Sequence, residues 1–203
     1  YVLSSTNNVY KCMWNNGGAA STVEPTGTSN AELNTADGYW WKYMYSLTTT
    51  QITDFLTADF MPVATNSTVA GAAVDGAVRH YKVERGGAGY TNGAHAGTLQ
   101  GDSSVRGGTA ATFTVTVTGG AVTSVVMVGA GTEYTFADCN IDNISGIGTP
   151  STSAIVTPII GPPGGHGSNA INELGGFYVM TNTTISGTEG SGDFVVDQDF
   201  RRV

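Results

Sequence analysis

The sequence predicts a mainly β protein: a β-sandwich-like core with two short helices, interrupted by a small inserted β module rich in glycine and threonine. Three observations lead there. Charged residues make up 12% of the 203 positions, about half the roughly 25% usual in globular proteins. Glycine takes 29 positions, about twice its usual ~7%. The hydrophobic residues, 40% of the chain, fall in short runs bounded by Gly, Asn, Asp or Pro, which is the pattern of strands and turns. That hydrophobic share with sparse charge excludes a disordered chain. The glycines follow no three-residue period, which excludes collagen, and Lys, Glu and Leu are too scarce for a long coiled coil. At ~150 residues per domain the length allows one large domain or two small ones, enough to bury a real core.

Along the chain, Val2-Leu3 is followed by a strand-like run from Asn7 to Trp14, ended by the turn signal Asn15-Asn16-Gly17-Gly18. Asp37-Gly38 marks another turn before Tyr39–Leu47. Alternation places Tyr39, Trp41, Tyr43, Tyr45 and Leu47 on one face and Trp40, Lys42, Met44 and Ser46 on the other. A face that aromatic predicts a central strand with core or interface side chains. Thr50 is placed to cap a short helix carrying Ile52, Phe55 and Leu56 and stopped by Pro62.

Residues 78–145 read as a unit of their own, inserted into a discontinuous core of 1–77 plus 146–203. Val78–Val83 alternates as a strand and runs into Gly86-Gly87-Ala88-Gly89-Tyr90-Thr91. Ala111–Thr118 and Val122–Val128 flank Gly119-Gly120, a strong hairpin signal. The second strand ends in Gly129-Ala130-Gly131-Thr132-Glu133-Tyr134-Thr135, a loose copy of the first glycine loop. Two copies fall short of the ~3 that a solenoid needs. In the last section, Ser153–Pro158 leads into Gly161-Pro162-Pro163-Gly164-Gly165-His166-Gly167, a structural turn that demands positive φ or close backbone approach. Ser168 is placed to cap a short helix, Asn169–Leu174, closed by Gly175-Gly176, and Phe177–Asn182 reads as a further strand.

Eight basic against sixteen acidic residues give a net charge of −8. An anionic chain is repelled by nucleic-acid phosphates and by anionic membranes, so neither is an expected partner. No apolar run approaches the ~20 residues of a membrane span. Cys12 and Cys139 are expected as reduced core thiols, with no CxxC between them. The chain opens on Tyr1 and shows no basic-then-apolar leader, which is read as a portion or processed product of something longer.

Candidate chemistry is thin. The three histidines, His80, His95 and His166, form no HExxH or His/Cys cluster, and no Walker loop is present. Gly164-Gly165-His166-Gly167 has the look of a glycine-rich oxyanion loop but lacks the companion GxSxG elbow. The expectation is a tight turn whose imidazole bonds a nearby backbone carbonyl. Asp193, Asp197 and Asp199 with Glu189 are a possible calcium cluster, at spacings that do not match an EF-hand. Asp37, Glu133 and Asp138 are the carboxylates from which a glycosidase pair would have to come. The expectation is accordingly no catalytic residue, no metal ligand and no cofactor.

Specific words in the sequence narrow this further. Val9-Tyr10-Lys11-Cys12, then Asn15–Thr28, then Asp37–Tyr45 occur in order. Gly164-Gly165-His166-Gly167 with Glu173-Leu174-Gly175, Phe177-Tyr178-Val179-Met180 and Asp199-Phe200-Arg201-Arg202 follow. Together these resemble the gene-product-eight baseplate wedge subunit of T4-like contractile-tailed phages, in its marine-phage versions. The resemblance spans the first ~62 and last ~50 residues in the order of its words; the middle module departs from it and is similar to β modules of other phage virion proteins. It implies a structural virion protein of the tail baseplate, folded in the host cytoplasm. Its implied partners are a second copy in a homodimer and other wedge proteins, and it implies no enzymatic activity. Tyr39, Trp40, Trp41, Tyr43, Tyr45, Phe177 and Tyr178 are the expected interface or core aromatics.

Two other functions have some footing. A carbohydrate- or receptor-binding β module of a phage tail or surface adhesin is suggested by Tyr90 and Tyr134 at loop ends. A hydrolase is suggested by the His166 loop alone.

Overall fold

The structure, a computed structural model, describes residues 1–183 and Gly187. The acidic group Glu189, Asp193, Asp197 and Asp199 and the Asp199–Arg202 word lie outside the described residues. The chain is mainly β. It forms β1 (Val2–Leu3), β2 (Asn8–Trp14), β3 (Leu33–Asn34), β4 (Trp40–Ser46), α1 (Thr49–Phe55), α2 (Ser67–Gly71), β5 (Val78–Arg85) and β6 (Gly93–Thr98). There follow β7 (Gln100–Gly101), β8 (Thr112–Thr118), β9 (Ala121–Gly129), β10 (Ala137–Asp138), β11 (Ile155–Ile160) and α3 (Ala170–Leu174).

The first sheet is antiparallel in the order β1-β2-β4-β3, which makes β4 an interior strand. Its aromatic residues do not share one face. Val9 pairs with Tyr45 and Tyr10 with Tyr43, leaving Met44 as an extra residue on β4. Such a bulge shifts the parity of every residue beyond it. Trp41 and Tyr43 therefore pack with Tyr10 and Val69, with Tyr39 alongside. Met44, Tyr45 and Leu47 pack on the other side with Val9 and Ala170.

The helices start one or two residues from where capping residues suggested. Thr48, not Thr50, caps α1: its hydroxyl accepts from Gln51 N at 3.2 Å while Gln51 Oε1 accepts from Thr48 N at 2.9 Å, a reciprocal capping box. The helix ends at Phe55, well before Pro62. Asn169 rather than Ser168 caps α3, and Gly175 closes it in the left-handed region at φ 71°. A third short helix, α2, is capped by Asn66.

The middle of the chain is two facing layers. The expected hairpin around Gly119-Gly120 is β8–β9, and β6 adds to the free side of β8. Against it lies the β5–β11 pair, with the Tyr81 and Phe113 rings 4.9 Å apart between the layers. This pairing, and a buried cluster running from Val78 to Val156, crosses the expected boundary at 145. By packing, the module extends through Ile160. Tyr90 and Tyr134 are both inside it, 4% and 2% exposed. Tyr134 donates its hydroxyl to Leu99 O at 3.1 Å, and Tyr90 donates to Asp142 Oδ1 at 2.5 Å. The twice-used Gly-rich loop therefore ends each time in a tyrosine plug.

One strand joins the two parts. On β5, the His80 ring stacks on Trp14 at 4.0 Å and meets Trp40 edge-on at 5.6 Å. Next to it Arg79 pairs with Glu32 at 2.8 Å. No helix among the described residues is long and apolar enough to cross a membrane.

Candidate functional site

The seven aromatics singled out in the sequence divide sharply. Trp41, Tyr43 and Tyr45 are core residues, 6%, 7% and 1% exposed. Tyr39 and Trp40 are half-buried, Tyr39 stacking on Trp41 at 5.5 Å. Phe177 and Tyr178 are outside, 74% and 87% exposed, and Val179 is 90% exposed.

This exposed run follows from how α3 ends. After the left-handed Gly175, Gly176 N returns to Ile171 O at 2.8 Å and the chain leaves the helix axis. Five residues past Phe177, the Asn182 amide donates to Asp54 O at 3.0 Å. The segment is thus a strap fixed at both ends, and Phe177–Asn182 pairs with no strand among the described residues. Its strand-like composition lacks a sheet edge to join. Beneath it an open groove of about 800 Å³ is walled by Phe55, Phe60, Met61, Leu174 and the strap itself. Phe60, 54% exposed, meets Tyr178 edge-on at 6.5 Å.

Behind the groove sits a polar cluster that the sequence did not announce. Glu173, its side chain 4% exposed, accepts from Lys11 Nζ at 2.6 Å. Its other oxygen accepts from Gly167 N at 2.7 Å, and it also binds His166 Nδ1. Tyr1 donates its hydroxyl to the Glu173 carbonyl. Lys42 lies directly opposite Lys11 across β2 and β4, is 6% exposed, and donates to Asn30 O.

Burial pushes the Glu173 carboxyl up, but the hydrogen bonds from His166, Lys11 and Gly167 outweigh it and bring it down to about 2. Burial drives the His166 pKa down, and the Lys11 and Arg79 charges add to this against the pull of Glu173. Burial also lowers the Lys42 ammonium, followed by repulsion from Arg79. His80 falls through burial alone. The cluster ties α3 and the glycine loop to β2 through an ionised carboxylate.

The loop itself is a tight turn: Gly165 N reaches Pro162 O at 2.8 Å and Gly164 N reaches Asp75 Oδ1 at 2.7 Å. A Cβ on Gly165, at φ 84°, would stand 2.4 Å from Val74 O. The His166 imidazole meets the Glu173 carboxylate, where a backbone carbonyl was expected, because Glu173 on the following helix turns back over the loop. Gly164 and Gly167, at φ 79° and 89°, complete the turn.

The carboxylates considered for glycoside chemistry have other occupations. Asp37 accepts from Thr22 N at 2.7 Å, Val23 N at 3.0 Å and the Thr35 hydroxyl at 2.5 Å. The Thr35 hydrogen bond is the largest influence holding its carboxyl far below the usual range. Glu133 faces Arg106 at 3.5 Å, and Asp138 lies on β10. Cys12 is half-buried and Cys139 buried, both free thiols, and burial pushes Cys139 up to about 12. Among the described residues no three His, Cys, Asp or Glu side chains gather as a metal site.

Sequence reasoning found Phe177 and Tyr178 but missed Phe55, Phe60 and Met61. The available signal was Phe60-Met61 standing beside Pro62 in a short, loop-like stretch. Comparison of the chain with family models, curated proteins and solved structures gives no match.

Proposed function

We infer that this chain is a structural virion protein, a subunit of the tail baseplate wedge of a contractile-tailed phage, located in the virion tail. It acts through protein–protein contacts with a second copy of itself and with other wedge proteins. The ordered sequence words support the baseplate assignment. The observation that carries the assembly function is the strap: three consecutive large apolar side chains, 74–90% exposed and held in place at both ends.

With roughly 150–250 Å² per aromatic side chain, Phe60, Phe177, Tyr178 and Val179 together expose on the order of 500 Å² of apolar surface. That is as large as the largest patch on a typical monomer, and such patches mark interaction sites. Aromatic anchors beside a groove are the usual centre of an interface. Tyr90 and Tyr134, the loop-end tyrosines of the carbohydrate-binding alternative, lie in the core and offer a sugar no stacking face.

The test is the double variant Phe177→Ser, Tyr178→Ser, co-expressed with the neighbouring wedge subunits. Both residues are exposed, so stability should stay within about 0.5 kcal/mol, measured by urea unfolding. Incorporation into sedimenting wedge complexes should be lost. A variant that folds and co-sediments like the parent would refute this function for the strap.

A further inference from the structure

The sheet β6-β8-β9 ends on one side at β6, where no described strand covers the edge. Free edges present unpaired N–H and C=O groups, and monomeric proteins guard them with Lys, Pro, bulges or covering loops. Here the strand itself carries no such guard. β6 pairs with β8 without a register shift, and Gly93, Ala94, Ala96 and Thr98 are exposed. None of β6, β8 or β9 contains Asp, Glu, Lys or Arg. In a chain of net charge −8, a second copy approaching this sheet meets no carboxylate on its three strands.

The strand is also a palindrome, Gly93-Ala94-His95-Ala96-Gly97. Part of that has an internal cause. A Cβ on Gly97 would stand 2.5 Å from the Phe113 ring, and Gly93 has φ 130°. Ala94 and Ala96 have no such cause: both are exposed, on the face away from the core, opposite Thr116 and Thr114. Alanine is a poor strand former, so the pair calls for another explanation.

We propose that β6 is the self-association edge of this protein, pairing antiparallel with β6 of a second copy about a two-fold axis at His95. In that register Ala94 faces Ala96 of the other copy and Gly93 faces Gly97. The two three-stranded sheets become one of six strands, β9-β8-β6-β6-β8-β9. The palindrome points to a second copy as the occupant, because antiparallel pairing about His95 then sets small residue against small residue at every position beside the axis, with no bulky side chain to block the approach. The proposal rests on the assembly function above and names the surface of its self-contact, while using an observation independent of the strap.

The register supplies its own test. Ala96→Lys places two lysines diagonally across the axis, roughly 7–8 Å apart, and Ala94→Glu does the same with glutamates. Each variant alone should raise the dimer dissociation constant on the order of tenfold or more, read by sedimentation velocity on the full chain. An equimolar mixture of the two should recover dimers, because the lysine introduced in one chain then directly faces the glutamate introduced in the other. Circular dichroism melts confirm folding, and the exchanged pair, Ala94→Lys with Ala96→Glu, replaces any variant that fails to fold.

A parent that stays monomeric at every concentration overturns the proposal, as do folded variants that dimerise normally or a mixture that shows no recovery. The Phe177→Ser, Tyr178→Ser chain should keep the parent's self-association, so loss of wedge incorporation alone touches only the strap. Loss of dimers in that chain would overturn the assignment of self-contact to β6.

Discussion

At the scale of single residues, Glu173 carries the most. It receives a lysine from β2 and an imidazole and a backbone N–H from the glycine loop, two separate parts of the chain. Glu173→Gln leaves Lys11 without its counter-charge, and breaking a buried pair from one side costs about 3 kcal/mol. A loss of that size in urea unfolding at neutral pH is the expected result. The titration sign follows from the same contacts. His80 and His166 lie below the ordinary 6.5 when folded, and Glu173 at about 2 lies below the ordinary 4.5. In each case the unfolded chain binds protons first as pH falls. Stability should therefore be full above 6.5, decline as the histidines charge, and decline again between 4.5 and about 2. Cys139, raised from 9.0 to about 12, adds an alkaline decline beginning near 9. A pH series of thermal midpoints should trace this dome. The burial of Cys139 was expected from the sequence; the Glu173 cluster was not, because Lys11 reaches it only through tertiary packing and the His166–Glu173 contact depends on how α3 turns back over the glycine loop.

At the scale of elements, alternation located β2, β4, β5, β8 and β9, since period-two burial is written directly into the residues. It did not locate the Met44 bulge, where one extra residue reverses the faces without altering composition. Met44 deletion should leave Tyr43 opposite Tyr10 and Tyr45 opposite Val9, each on its present face, and cost only the buried Met44 side chain, about 2–5 kcal/mol, with unfolding in urea still cooperative. β6 was missed because Gly and Ala carry no strand signal, and Phe177–Asn182 was misread because a strand composition does not guarantee a neighbour. Caps were misplaced by one or two positions where several Thr, Ser and Asn compete. The true cap of α1 is testable: Thr48→Ala should cost about 1 kcal/mol and Thr50→Ala only a few tenths, compared by denaturant midpoint. Gly165→Ala should cost more than either, because strain at positive φ of about 1–3 kcal/mol adds to the clash with Val74.

At the scale of the whole molecule, two structures share one chain: a sheet buried on both faces, and a two-layer module whose core extends past its expected end. His80 between Trp14 and Trp40 fastens them. The mainly β class was readable from charge scarcity, glycine excess and alternation. The joint was not, since it depends on which residues of β5 face the first sheet. What the surface offers a partner is correspondingly divided: an apolar strap near the C-terminal side and an unguarded, uncharged sheet edge on the module. The proposed assembly function uses both surfaces, and self-association is the property on which that proposal most directly depends. The decisive measurement is solution mass by multi-angle light scattering over a wide concentration range at neutral pH. A mass rising toward twice the protomer mass as concentration rises is the predicted result. The protomer mass at every concentration would contradict it.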